Sequence, residues 1–160
     1  MMPMADGQVR NVSFLAAVAL EHDCRMVVAE DVNLDGRLDL VVDHNPPDWD
    51  ANTDGSHLSV FLNNMPAVGN FIGLAFQRRP GGIELNGTRI YVSCGGRETV
   101  GYIVDGDSFE SQHSTTKHFG LGSATEVESV RIVWPDGLER IVTNPAINRY
   151  HRIPAPARDR

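Results

Sequence analysis

An all-β chain in two unlike parts is the fold the sequence predicts, and three observations predict it. Apolar residues come in short runs rich in Val, Ile and Leu, many of them alternating with polar ones, as half-buried strands require. Turn formers punctuate these runs: fifteen Gly and nine Pro in 160 residues. No segment sustains the 3.6-residue period of an amphipathic helix.

Residues 1–10 are polar and are expected to fray. Val12 to Leu20 reads as the first strand. Its apolar length could also suit a signal-peptide core, but its flank offers only Arg10 and Asp6, and no small-x-small cleavage site follows. Glu21-His22-Asp23 reads as a turn. Met26 to Ala29 and Leu38 to Asp43 read as strands on either side of an acidic loop. His44 to Gly55, with two prolines and many Asx residues, reads as a loop, and His57 to Asn63 as the next strand, with Leu58, Val60 and Leu62 on one face. These elements make a first unit over 11–64, an antiparallel blade-like sheet. Asn63 to Gly69 is the expected boundary.

The second unit, 70–153, has strands at Asn70 to Gln77, Thr88 to Cys94, Arg97 to Val104, through Val130, Ile132 and Trp134, at Leu138 to Val142 and at Tyr150 to Ile153. Arg78 to Gly82, Gly95-Gly96 and Trp134-Pro135-Asp136-Gly137 supply turns; the Gly pair suits a tight hairpin. This pattern predicts a β-sandwich or barrel. The tail from Pro154 is expected to be loose.

The totals exclude several function classes. A net charge of −7 argues against nucleic acid, because phosphate binding needs a basic surface, and against anionic membranes. No apolar run reaches the roughly 20 residues that span a bilayer. Cys24 and Cys94 are the only cysteines; their spacing fits no zinc pattern, and both are expected as free thiols.

The acidic loop is Asp31-Val32-Asn33-Leu34-Asp35-Gly36-Arg37-Leu38-Asp39. Oxygen side chains fall at positions one, three, five and nine, with Gly36 at six for the sharp turn. That pattern suits a hard cation, calcium above all, which takes about 6–8 oxygen ligands. Asp31, Asn33, Asp35 and Asp39 would give side-chain oxygens, and Arg37 its backbone carbonyl. Position twelve is Val42 where an EF-hand needs Glu, and the flanks are strands, so this is not an EF-hand. A second, poorer copy, Asp50-x-Asn52-x-Asp54-Gly55, has Leu58 at its ninth position and reads as a turn-rich hairpin loop.

Val28 to Val42, loop included, resembles one FG-GAP (VCBS) repeat, which implies a propeller blade whose acidic loop binds calcium through the five residues named above. Asn70-Phe71-Ile72-Gly73-Leu74, Asn86-Gly87-Thr88-Arg89, Ser111-Gln112, His118-Phe119-Gly120-Leu121-Gly122 and Trp134-Pro135-Asp136-Gly137, in that order, resemble the ASPIC/UnbV domain over roughly Asn70 to Ile153. Within Asn86-Gly87-Thr88-Arg89, where relatives commonly have an Ile-Gly-Ala-Arg type of stretch, the arginine is kept and the Gly-Ala pair is not. The resemblance implies a domain that follows a calcium-binding propeller in secreted proteins similar to cartilage acidic protein and in bacterial UnbV proteins, hence an extracellular or periplasmic place. A propeller needs about 4–8 blades, and one is present, so its open edges and apolar face are expected to dock on the second unit, on further blades or on a second copy.

Asp105 to His118 holds a Ser, two His and several carboxylates. Ser111 and His113 lie too close in sequence for the usual separated nucleophile and base, and there is no Gly-x-Ser-x-Gly elbow. The expected role of Ser111, Gln112 and His118 is to hold the loop's shape. The favoured function is a calcium-stabilised, non-catalytic binding or structural module with a protein or glycan partner. The alternative is an accessory protein or enzyme of a biosynthetic pathway, suggested by relatives encoded near enediyne genes; it requires Arg89, Ser111, Gln112 and His118 in one polar site. A carbohydrate-binding sandwich would require an exposed aromatic row. Trp134 falls on an apolar strand face, which leaves Trp49, in the Pro/Asp loop, as the exposed aromatic.

Overall fold

The computed structural model describes residues 2–3, 7–20, 23–45, 55, 57–66 and 69–157. Short strands β1 (Met2–Pro3) and β2 (Val9–Arg10) pair as a ribbon. Strands β3 (Asp23–Glu30), β4 (Asp39–Asn45) and β5 (His57–Phe61) form an antiparallel sheet in sequence order. The acidic loop is the β3–β4 connection. The Asp50 copy of the motif falls almost wholly outside the described residues, as does Trp49.

The rest of the chain forms two further sheets. Strands β6 (Asn70–Gln77), β7 (Arg89–Cys94), β8 (Arg97–Tyr102), β9 (Thr116–Gly122), β10 (Ser129–Val133), β11 (Glu139–Thr143) and β12 (Tyr150–Pro154) follow in order. One sheet runs β11-β10-β7-β8, all antiparallel. The other runs β12-β6-β9, with β12 parallel to β6. Alternation decides the inner faces. Ile90 and Val92 of β7 stand opposite Ile132 and Val130 of β10. Ile72, Leu74 and Phe76 of β6 share the facing side, and these residues meet Phe119, Trp134 and Ile153 in one core. The arrangement is all-β and sandwich-like, with no closed barrel among the described residues.

The glycine signals fall where expected. Gly95 and Gly96 have φ of 57° and 72° and join β7 to β8 as a two-residue hairpin, the conformation that L side chains resist. Gly137 (φ 90°) closes the Trp134 turn through its N–H to the Trp134 carbonyl at 2.9 Å.

Three expectations are corrected. Val12 to Leu20 is not a strand. Asn11 Oδ1 accepts from the Ser13 N–H and hydroxyl at 3.0 and 2.8 Å, and the chain turns back on itself with Val18 N–H on the Ser13 carbonyl. A local side-chain acceptor outcompetes ladder pairing there, and Phe14 and Leu15 are left exposed. His118, expected to hold the shape of a loop, lies within strand β9, because β6 offers this stretch a buried apolar partner despite its glycines. The tail is anchored as far as Ala157: Ala155 is buried, its N–H donates to the Gln77 carbonyl at 3.0 Å, and the Pro156 carbonyl accepts from Ile83 N–H at 3.1 Å.

The core is one-sided. Every fully buried apolar residue among those described lies between Phe71 and Ala155, while the β3-β4-β5 sheet buries only Asp39 and His44. Leu58, Val60 and Leu62 remain exposed on one face. Within the sandwich, a Cβ on Gly101 would lie 2.7 Å from the buried Phe119 ring. Gly101→Ala is therefore expected to cost about 1–3 kcal/mol by overpacking, read as a lower urea midpoint with an unchanged slope.

Candidate functional site

The acidic loop folds around its own carboxylates. Asp31 Oδ1 accepts from Asp35 N–H at 3.0 Å and Asp31 Oδ2 from Gly36 N–H at 2.8 Å. Asn33 Oδ1 accepts from Asp35 N–H at 3.2 Å, and Asn33 Nδ2 donates to Asp35 Oδ2 at 2.9 Å. Asp35 Oδ1 accepts from Arg37 N–H at 3.0 Å, and the Arg37 guanidinium pairs with Asp35 Oδ2. Asp39, only 1% exposed, accepts from Val32 N–H at 3.0 Å and from Asn63 N–H at 2.7 Å. Leu34 and Gly36 take φ of 61° and 88° to make the bend. Desolvation pushes the Asp35 carboxyl up, but hydrogen bonds from Asn33 and Arg37 and the Arg37 charge together outweigh it and hold the group below its ordinary 3.8.

The loop does not stand alone. Residue 36 must be glycine twice over, for its φ and because a Cβ there would lie 2.4 Å from the Phe71 ring. Phe71 is buried outside the sandwich core and stacks on His118 with centroids 4.9 Å apart. His118 Nε2 donates to the Gly36 carbonyl at 3.0 Å, which fixes that tautomer. The Tyr150 hydroxyl donates to Asp31 Oδ2 at 2.6 Å. Tyr150 lies across β6 because Gly73, its cross-strand neighbour, has no side chain; a Cβ there would be 2.1 Å from the tyrosine ring. Burial first, then the hydrogen bond and charge of Asp31 and the charges of Glu30 and Asp35, push the Tyr150 phenol far above its ordinary value.

A second set of contacts runs along β3. Glu30 accepts from Ser114 N–H at 2.7 Å and from the Ser114 hydroxyl at 3.0 Å. His113 Nε2 accepts from Ala29 N–H at 3.3 Å, so Nδ1 carries the proton; it faces Asp107 Oδ1 at 3.2 Å. The Asp107–His113 pair therefore bolts the 105–115 loop to β3, and the nitrogen a general base would need is occupied by backbone. Between the two contact sets lies a cleft of about 700 Å³, with Glu30, Asp31 and Leu38 on one side and Thr116, His118, Tyr150 and Arg152 on the other.

Of the residues singled out from sequence, Asp31, Asn33, Asp35, Arg37 and Asp39 share one loop with the oxygen chemistry a hard cation needs, and their carboxylates outnumber the one guanidinium among them. Among the described residues no three His, Cys, Asp or Glu side chains converge into a metal cage by themselves; this donor set would also draw on the Asn33 amide and the Arg37 carbonyl. The second polar set is not gathered in the cleft. His118 lines it; Arg89, Ser111 and Gln112 do not. Arg89 is exposed on β7, on the four-stranded sheet, and Gln112 Nε2 donates to Asp105 at 3.2 Å. Cys24 and Cys94 are free thiols. Trp134 is buried in the sandwich core. Sequence reasoning gave no site role to Phe71, Gly73 or Tyr150, and it weighed His113 only as a base beside Ser111. The legible signal was Gly73, an isolated glycine inside the apolar strand Phe71-Ile72-Gly73-Leu74, which marks a close approach.

Desolvation raises the Asp107 carboxyl, but hydrogen bonding from the His113 backbone N–H and side chain, with the charge of Lys117, holds it below 3.8. A lowered native value stabilises the fold above the unfolded value, and that stability is lost as pH falls through the folded one. The gap in melting temperature between wild type and Asp107→Asn should therefore narrow as pH is taken from about 5 down through 3.8 and below, followed by thermal denaturation in a buffer series.

The family model described as ASPIC and UnbV matches residues 81–160, half of the chain. The matched stretch begins after β6, so the strand that carries Phe71 and Gly73 lies upstream of it. No curated protein matches the chain.

Proposed function

The chain belongs to the ASPIC and UnbV family, and from that premise we propose that it is a calcium-stabilised, non-catalytic binding or structural module that works outside the cytoplasm, joined to further blades or to a protein or glycan partner through the open β3-β4-β5 sheet. One observation carries the reading: the acidic loop is the seat on which the coreless sheet meets the sandwich. Asp31, Asn33, Asp35 and Asp39 would hold the ion with side-chain oxygens and Arg37 with its carbonyl. The ion's positive charge would offset the negative field that the loop already imposes on Tyr150. A small unit with little apolar burial gains most from such a ligand, since ligand binding to the folded state adds directly to stability. The extracellular or periplasmic placement rests on the resemblance to secreted relatives. The accessory-enzyme reading needs Arg89, Ser111, Gln112 and His118 in one site, and only His118 lines the cleft.

A thermal melt in calcium and in chelator tests the proposal. The expected gain is about 2.7 kcal/mol when free calcium is 100 times the dissociation constant. Asp35→Ala should remove that gain and leave the chelator midpoint within about 1 kcal/mol of wild type. A wild-type midpoint indifferent to calcium would defeat the reading.

A further inference from the structure

We infer that the acidic loop is not a self-contained ion site: Tyr150, seated over Gly73 and flanked by His118, supplies its outer shell from the ASPIC/UnbV half and sets its affinity for calcium. The inference rests on the calcium reading above and adds to it which residues outside the loop tune the site. Its basis is shape as well as contact. Tyr150 lies 119 positions along the chain from Asp31, and its hydroxyl reaches the carboxylate at 2.6 Å. That reach needs room over β6, and the room exists because residue 73 lacks a Cβ. The His118 N–H on the Gly36 carbonyl and the Phe71 ring against Gly36 hold the middle of the loop in the same way. Asp31 Oδ2 is taken by two donors, Tyr150 and Gly36 N–H, which turns the carboxylate and leaves Oδ1 with a single backbone donor. Groups that orient a metal's carboxylate ligands in this way typically contribute about 10–100-fold to affinity. Coupling of this kind is reciprocal: an ion in the loop would tighten the Tyr150 contact and so the joint between the two halves.

The test uses the full chain and two ions. Calcium affinity is measured by titration calorimetry for wild type and Tyr150→Phe, with melts of both in chelator. The expected result is binding weakened about 10-fold or more in Tyr150→Phe, at a temperature at which the chelator melts show both proteins folded. Equal affinity in the two proteins overturns the inference and leaves the calcium reading intact. No calcium binding by wild type overturns the calcium reading itself. Terbium in place of calcium needs no variant to fold: bound terbium, counted by direct excitation, should also emit when tyrosine is excited, and Tyr102→Phe should keep that emission. Bound terbium that is dark to tyrosine excitation in wild type would place Tyr150 away from the ion and end the inference.

Discussion

The hydrogen bond from the Tyr150 phenol to the Asp31 carboxylate, with the Phe71 ring pressed under Gly36, is the contact on which the joint between the two halves turns. The β3-β4-β5 sheet has strands of five to eight residues and no fully buried apolar side chain among those described. Three short strands without a packed face hold together poorly in water. What fixes this sheet is polar: Glu30 on Ser114, Ala29 N–H on His113, Asp31 under Tyr150. Bonds to a charged partner contribute about 1.5–3 kcal/mol each and neutral ones about 1, and a partly buried aromatic seat adds its own area. The sandwich, with a continuous apolar core, needs none of this. Dependence therefore runs one way, from the sheet to the sandwich.

The parts of this structure that were legible in sequence are those decided locally. Alternation in Ile90, Val92, Val130 and Ile132 placed the strands of the larger sheet and their inward faces. Gly95-Gly96 and Trp134-Pro135-Asp136-Gly137 announced hairpins because only certain backbones fit a two-residue or tight turn. The acidic loop was visible as a spacing, and its strand flanks as β-branched runs. What stayed hidden depended on distant partners. Val12 to Leu20 is apolar enough for a strand, but Asn11 supplies a nearer acceptor. His118-Phe119-Gly120-Leu121-Gly122 has weak strand propensity and is made a strand by β6. Pro154 to Ala157 reads as a loose end until Gln77 and Ile83 are placed beside it. Tyr150 carried no sign of its role, because the residue that makes room for it, Gly73, sits 77 positions earlier, in a different stretch of sequence.

The loop's carboxylates differ in what they can give up. Asp39 is enclosed, with each oxygen on a backbone N–H, one from inside the loop and one from Asn63 beyond β5. It staples the loop to the sheet whether or not an ion is present, and its loss would leave two buried donors unpaired. Asp31 is shared between the loop backbone and Tyr150. Asp35 is held by Asn33 and Arg37, partners on the same loop. Burial and commitment thus fall from the ninth position to the fifth. Substitution at Asp35 accordingly separates ion binding from folding, whereas substitution at Asp39 confounds them. Spacing alone gives these two aspartates the same role; their surroundings leave Asp35 on partners within its own loop and tie Asp39 into the sheet.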